Sequence, residues 1–443
     1  GEETEAAVLA GLRYLSSIQH ANGSWGSSRL DQKYGDRRPG KTGLVLLAFL
    51  GSGYNQVDGS EFTDVVTKGI KFLLSQQDSD VGHFGNCSAY GHGISTYALA
   101  EAFAMTKDAL LRAPIMRGVR RIVRAQFDSR RPELDGGWGY YYRDTERRYD
   151  NWPRMSVTVW QIMALKSAKI GGLSVPSRVL DRAKSFVLAS RDSRLKALRY
   201  NQDPDWLASG FPTLPGSSAA GLFAMQLFDV SESNPSYRTA LNYVVQRPPR
   251  FRWRRASSSA FVNRGEGNLY FHYYAALALH RNGGAVWDGW NSQLKPILLD
   301  NQEGNGSWRP ISQYNKFANE TSRDRSYTTA ISVLMLEVYY RYFTPLTEDH
   351  QKGRNNAALE TMPQTGVEIS SVRSNSSADD LGLEVGDRII SVRSQPVVNT
   401  SDLRRHLKSW PRNDAGTVEV VRGQRKVVLT GNRRPGGFQA LSD

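Results

Sequence analysis

The tract Tyr270-Phe271-His272-Tyr273-Tyr274 gathers three phenols and an imidazole in five residues. Tyr140-Tyr141-Tyr142, His92 and Arg154 add further groups of the same kinds. A Tyr or His base beside an Arg that neutralises a carboxylate is the chemistry of proton abstraction next to a uronate. On that reading Tyr270, His272, Tyr273, His92, Arg154 and Tyr140 are the candidate catalytic residues. The plainer reading is that Tyr and His fill a cavity wall and satisfy one another. A second set is the run Arg247-Pro248-Pro249-Arg250-Phe251-Arg252-Trp253-Arg254-Arg255. Arg interleaved with aromatics grips phosphates or acidic sugars, so Arg250, Arg252, Arg254, Arg255 and Trp253 are candidate ligand-binding residues. The alternative is a solvated loop on a basic protein. No nucleic-acid reading motif accompanies the run, so nucleic acid is not expected. A third set, His83, Cys87 and His92, has a spacing from which zinc ligation could be argued. A buried free thiol is the commoner outcome, and no metal or cofactor is expected.

The chain has 443 residues, which suggests two or three domains. Its hydrophobic share of 40% and charged share of 23% are those of an ordinary globular protein. The net charge of +14 attracts anions, such as an acidic ligand or polymer, or serves solubility alone. Cys87 is the single cysteine, so an internal disulfide is excluded. No apolar run approaches the roughly 18 residues of a membrane span, and no signal peptide is read. Gly1 is not a natural start, so the chain reads as a trimmed piece with any upstream signal or anchor out of view.

These residues need elements to position them, and the elements repeat. An amphipathic stretch ends in Gln or a small polar residue. A Gly/Trp-rich turn follows, then a more apolar helix. The anchors are Gln19, Gln77, Gln126, Ser190, Gln246 and Gln302. The second helix of each pair is apolar nearly all round, which predicts burial. Six such pairs either stack as a solenoid or close into a ring. No polar end caps are seen, so a ring is expected, with the second helices inside.

Gln19-x-x-x-Gly23-Ser24-Trp25, the same turn at 302–308 and Asp135-Gly136-Gly137-Trp138-Gly139 resemble the repeats of squalene cyclases and protein prenyltransferases. The resemblance covers roughly residues 5–345. It implies a mainly α chain with an (α/α)6 toroid and an active cavity at one mouth of the inner ring. Inner-helix N-termini there would suit an anion. The family's cyclases carry an Asp-x-Asp-Asp segment. The nearest tract here is Asp203-Pro204-Asp205-Trp206, which lacks the third acid and reads as an exposed loop. Where an acid often precedes the third inner helix, this chain has Arg154. The prenyltransferase zinc set of Asp, Cys and His is also missing.

Beyond Pro345 the helical pattern stops. Residues 347–363 read as a polar linker. From 364 the apolar period becomes two at Val367–Val372, Thr417–Val421 and Lys426–Leu429, which predicts strands. A helix is expected from Ser401 to Trp410. Ala378 to Ile390 contains Gly382-Leu383-Glu384-Val385-Gly386-Asp387, which resembles the core of the PDZ domains of bacterial envelope proteins. The expected division is therefore a toroid over 1–346, a linker and a small α+β PDZ-like domain over 364–443. Leu403 and Leu407 would face the peptide groove or the core. The carboxylate-binding loop should fall near 359–366, where the usual apolar-Gly-apolar signature is absent.

The leading expectation is a toroid that binds a ligand or partner in its central cleft, with a PDZ-like domain that docks a peptide or protein C-terminus. The alternatives are a lyase or hydrolase of acidic glycans, since such enzymes share the toroid shape, and an atypical terpenoid cyclase. The PDZ type points to a periplasmic or envelope setting, with the cytoplasm as the alternative.

Overall fold

The computed structural model describes residues 2–27, 35–142, 150–203, 205, 213–253, 257–311, 320–321, 323–339, 366–369, 371–372, 376–411, 414–422, 425–432 and 440–441. The chain divides into two compact units, residues 1–349 and 350–443. The expected linker 347–363, together with Arg254, Arg255, Pro204 and Trp206, lies outside the described residues.

The first unit is a closed ring of helix pairs. The outer helices are α1 (Glu2–Ser17), α3 (Thr63–Gln76), α5 (Ala109–Ala125), α7 (Ser177–Ala189), α9 (Pro235–Val245) and α12 (Gly284–Leu299). The inner helices are α2 (Arg38–Gly51), α4 (Ala89–Thr106), α6 (Met155–Ile170), α8 (Pro215–Leu227), α11 (Leu269–Asn282) and α13 (Ser326–Leu336). A short helix, α10 (Ser258–Arg264), and a two-residue hairpin, β1 (Arg191–Asp192) with β2 (Ala197–Leu198), sit in the connections. Each inner helix packs on the next, and α13 packs on α2, which closes the ring. Inner helices such as α8 are buried on every side, which is why their sequences lack a polar face.

The Gly/Trp turns hold neighbouring pairs together. Trp25, Trp138 and Trp308 are fully buried. Their indole N–H groups donate to Leu15, Ile122 and Leu298 carbonyls at 2.7, 2.8 and 2.7 Å. Their backbone N–H groups donate to Thr42, Thr158 and Thr329 on the following inner helix at 3.1, 3.0 and 3.3 Å. Four of the five anchor glutamines, Gln19, Gln77, Gln126 and Gln302, are staples. Each reaches across to the next outer helix or the residue leading into it: Gln19 to Val65 O, Gln77 to Pro114 O and Gln126 to Val179 O, at 2.9, 2.9 and 2.8 Å. Gln302 reaches Ala7 O at 2.8 Å and so ties the sixth repeat to the first. Gly136 has φ +85°, and a Cβ there would lie 2.2 Å from Arg182 O, so only glycine fits. The second turn follows the same plan with Phe84, fully buried, in place of Trp.

The second unit is a small sheet in the order β3 (Val367–Glu368), β5 (Arg388–Val392), β7 (Ala415–Arg422), β8 (Arg425–Asn432), with β6 (Gln395–Pro396) also on β5. β4 (Ser371–Val372) pairs separately with β9 (Ala440–Leu441). Two helices, α14 (Ser377–Asp380) and α15 (Thr400–Ser409), complete the unit. The alternation of Val418 and Val420 buries one face of β7 in a core with Leu381, Leu383, Ile389 and Trp410. Asp387 of the Gly-Asp pair is fully buried. It accepts Glu384 N–H at 2.9 Å and Arg422 Nε at 2.7 Å. Burial raises its pKa, but those bonds outweigh burial and hold it below the usual range. That Asp fixes the turn before β5.

Candidate functional site

The six inner helices begin at one end of the ring, and their first turns surround a cavity of about 310 Å³. Lys41 of α2, Tyr90 of α4, Ser156 of α6, Ser217 of α8, Tyr270 of α11 and Tyr327 of α13 all line it. Each helix start carries roughly half a positive charge. The wall is otherwise aromatic: Tyr140, Tyr200 and Trp160 join Tyr90, Tyr270 and Tyr327.

The phenols are tied together. Tyr90 donates to Ser156 Oγ, and Tyr140 pairs with Tyr200. Tyr270 donates to Ser156 O at 3.0 Å. Arg154 lies over the Tyr140 ring at 5.6 Å and the Tyr200 ring at 5.9 Å. It is paired with Asp150 at 3.1 Å and Asp203 at 3.5 Å. Burial pushes the pKa of Tyr90, Tyr140 and Tyr270 far up, and Tyr200 and Tyr327 rise for the same first reason. The wall is therefore neutral phenol, a donor and acceptor surface, and a phenolate base is costly in it.

At Lys41 the wall is backed by an ionic cluster. Lys41 Nζ binds Asp324 at 2.8 Å. Glu320 is buried beside them and accepts Thr328 N–H at 2.8 Å as well as its hydroxyl. Two carboxyls thus face one ammonium. Burial outweighs Lys41 and lifts Glu320 to about 7. Asp324 is pushed up by burial but held below its usual range by Lys41 and Ser326.

Among the residues singled out in the sequence, the structure brings Tyr140, Tyr270 and Arg154 together around the cavity. Tyr273 stands behind it, stacked on Trp160 at 6.0 Å. His272 faces away: it is buried, stacks on Phe251 at 4.7 Å and lies against the Gly265 backbone. Burial drives its pKa down to about 3. His92 is in a separate nest, stacked on His83 at 4.7 Å, with Nε2 3.0 Å from Gly118 O. Burial lowers both histidines, His83 to about 4. Cys87 is a buried free thiol, 3.7 Å from His83 Nε2. Among the described residues no group of three His, Cys, Asp or Glu is placed to hold a metal ion.

The Arg-rich run lies on an outer cleft that shares no lining residue with the cavity. Trp253 tucks inward and donates to Arg309 O at 2.9 Å, while Arg250 is exposed on Gln293 at 3.1 Å and Arg252 is exposed at the cleft. In the second unit Leu403 is a core residue, and Leu407 is half-buried against that core. The sequence reading missed Tyr200, Trp160, Lys41, Asp324 and Glu320. The acids just ahead of Ser326 were the available signal, since acids favour helix starts.

Comparison with known proteins supports both units. The first has the fold of several solved structures. The type II terpene cyclase MstE from Scytonema matches with TM-score 0.53 and 12% identity, over 77% of this chain and 98% of that one. A D-mannose isomerase gives 0.54 and 12%, over 76% and 97%. A possible GH105 family member from Salmonella enterica serovar Paratyphi A gives 0.54 and 12%, over 77% and 94%. At these identities the likeness is one of fold. Residues 347–410 match the PDZ domain family. A stretch of 64 residues is 42% identical to the periplasmic serine endoprotease DegP of Salmonella typhimurium. That stretch is 14% of this chain and 13% of the protease. The chain is thus an (α/α) toroid followed by a PDZ domain. Among the described residues no helix is long and apolar enough to cross a membrane.

Proposed function

We propose that the toroid is a binding module for a compact ligand carrying an acidic group and several hydroxyls, and that the PDZ domain docks the chain to a peptide or protein C-terminus. The observation that carries the first part is the convergence of six helix N-termini on one phenol-walled cavity of about 310 Å³. Such a volume sits at the small end of ligand sites, roughly 300–1,000 Å³. Neutral phenols and the Trp160 face suit sugar hydroxyls and ring C–H groups. The helix starts suit a carboxylate or phosphate. The second part is supported by the PDZ match, since such domains add an extended peptide to a sheet edge. Similarity to a periplasmic protease supports an envelope setting.

Isothermal titration calorimetry tests the first part. Galacturonate or inorganic phosphate should bind, and galactose should bind at least about tenfold more weakly. Absence of heat with all three sinks the reading. For the PDZ domain, a labelled peptide pool with free C-termini should bind, and the amidated pool should not; equal binding of both removes carboxylate capture.

A further inference from the structure

The cavity has two electrostatic halves. On one side the helix starts are already satisfied by side chains. Asp36 accepts Arg38 N–H of α2 at 2.9 Å, and Asn268 accepts Phe271 N–H of α11 at 2.9 Å. Asp324 accepts Ser326 N–H of α13 at 3.1 Å, and Glu320 accepts Thr328 N–H at 2.8 Å. Lys41, which lines the cavity beside Arg37 on that side, is spent on Asp324. On the other side α4, α6 and α8 are consecutive around the ring and none has a side-chain cap, although Ala89 N–H of α4 donates to Tyr140 O at 2.8 Å and Met155 N–H of α6 to Tyr200 O at 2.9 Å. The nearest acids there, Asp150 and Asp203, are paired with Arg154.

One further group points the same way. Ser217, in the first turn of α8, lines the cavity, is 1% exposed, and among the described residues its hydroxyl has no hydrogen-bond partner. A buried hydroxyl left unpaired is destabilising, so a ligand group that supplied the missing partner would be favoured there. Its neighbour Gly216 has no side chain. A Cβ there would lie 2.6 Å from the Tyr270 ring, so glycine lets that ring close over the helix start.

We infer that the acidic group of the ligand docks at the first turn of α8, beside those of α4 and α6, with Ser217 as a specificity-determining donor to its oxyanion. This rests on the toroid being a ligand-binding module. The capped half then faces the remainder of the ligand. Lys41 is not the anion anchor, because an incoming carboxylate would have to displace Asp324 and sit beside Glu320.

The test is calorimetry on the full chain with galacturonate, inorganic phosphate and galactose. Ser217→Ala should weaken binding of the acidic probe about tenfold or more, the scale of a lost hydrogen bond to a charge. Its galactose affinity should stay unchanged. Ser217→Asp places a carboxylate where the ligand's would sit. It should abolish galacturonate and phosphate binding while the chain stays folded by circular dichroism, at some cost in melting temperature because the new carboxylate is buried. Wild-type affinity for the acidic probes in both variants overturns the subsite and leaves the module standing. No binding of any probe by the parent chain overturns the module and the subsite with it. Loss of acid binding only in Lys41→Met, with Ser217→Ala unaffected, assigns the anion to the other half and also overturns the inference.

Discussion

The Gly/Trp turns and the helix starts they feed are neighbours in the chain, yet they treat polar groups in opposite ways. In the third turn every donor of Trp138 and Gln126 finds an acceptor: Ile122 O and Thr158 Oγ1 for the first, Gly136 O and Val179 O for the second. At the start of α8 there is no side-chain cap, and Ser217 has no partner among the described residues. At the start of α13 two carboxyls share one lysine. The turn leaves Gln126 Oε1 without a partner among the described residues, as α8 leaves Ser217 Oγ, but of the two only Ser217 borders the cavity and is placed to meet a ligand.

The largest effect should come from breaking the framework. Trp138→Ala removes a fully buried indole and a hydrogen bond across the turn. It should cost about 3–5 kcal/mol, the range for Trp truncation in a core. Urea unfolding of the toroid measures it. A loss under about 1 kcal/mol would show that the turn does not bind the pairs together and would dissolve the contrast.

The mouth should answer to pH. Glu320 has a pKa of about 7 in the fold against 4.5 for an ordinary Glu, so the fold holds its proton more tightly. Its contribution to stability is full below about 4.5 and is lost as pH rises through about 7. Glu320→Gln should therefore be the more stable protein at pH 8, by up to about 3 kcal/mol, and should match the parent near pH 4. Thermal melts from pH 4 to 8 show it. A difference that does not change with pH would mean that the carboxyl is not protonated preferentially by the fold. The parent has an opposing limb. His83, lowered to about 4 from 6.5 by burial, contributes fully above 6.5 and loses its contribution as pH falls toward 4.

Legibility in the sequence follows the same contrast. The turns were readable because their geometry is local. Gly136 at positive φ, Trp138 and Gln126 recur at fixed spacing, and nothing outside the repeat is needed to recognise them. The staple role of the glutamines was not read, since it joins one repeat to the next. The cavity was half readable. The sequence points to the helix starts, and Tyr270 and Tyr140 line the cavity there. Within a helix, though, facing is decided by rotation about the axis. Tyr270 and Tyr274 are one turn apart, share a face, and bring their rings to 4.8 Å. His272 lies between them in sequence and turns away onto Phe251 and Trp290. Tyr200 and Glu320 were invisible because each arrives from a different repeat. Only closure of the ring sets their neighbours.

The smallest predicted difference is also the sharpest, because it deletes the same group at two sites. Thr158→Val removes a hydroxyl that accepts Trp138 N–H at 3.0 Å in a fully buried turn. The shape is kept, but a buried N–H is left with only water-excluded surroundings, which costs about 1–3 kcal/mol. Ser217→Ala removes a hydroxyl that has no partner among the described residues. No desolvated partner is stranded, and alanine is the better helix former, so the ligand-free chain should lose nothing and gain up to about 0.5 kcal/mol. Paired thermal or urea melts of the two variants measure the difference. If Ser217→Ala is destabilised as much as Thr158→Val, the serine has a structural partner. The helix starts would then be closed like the turns, and the case for an external ligand at α8 would fall with them.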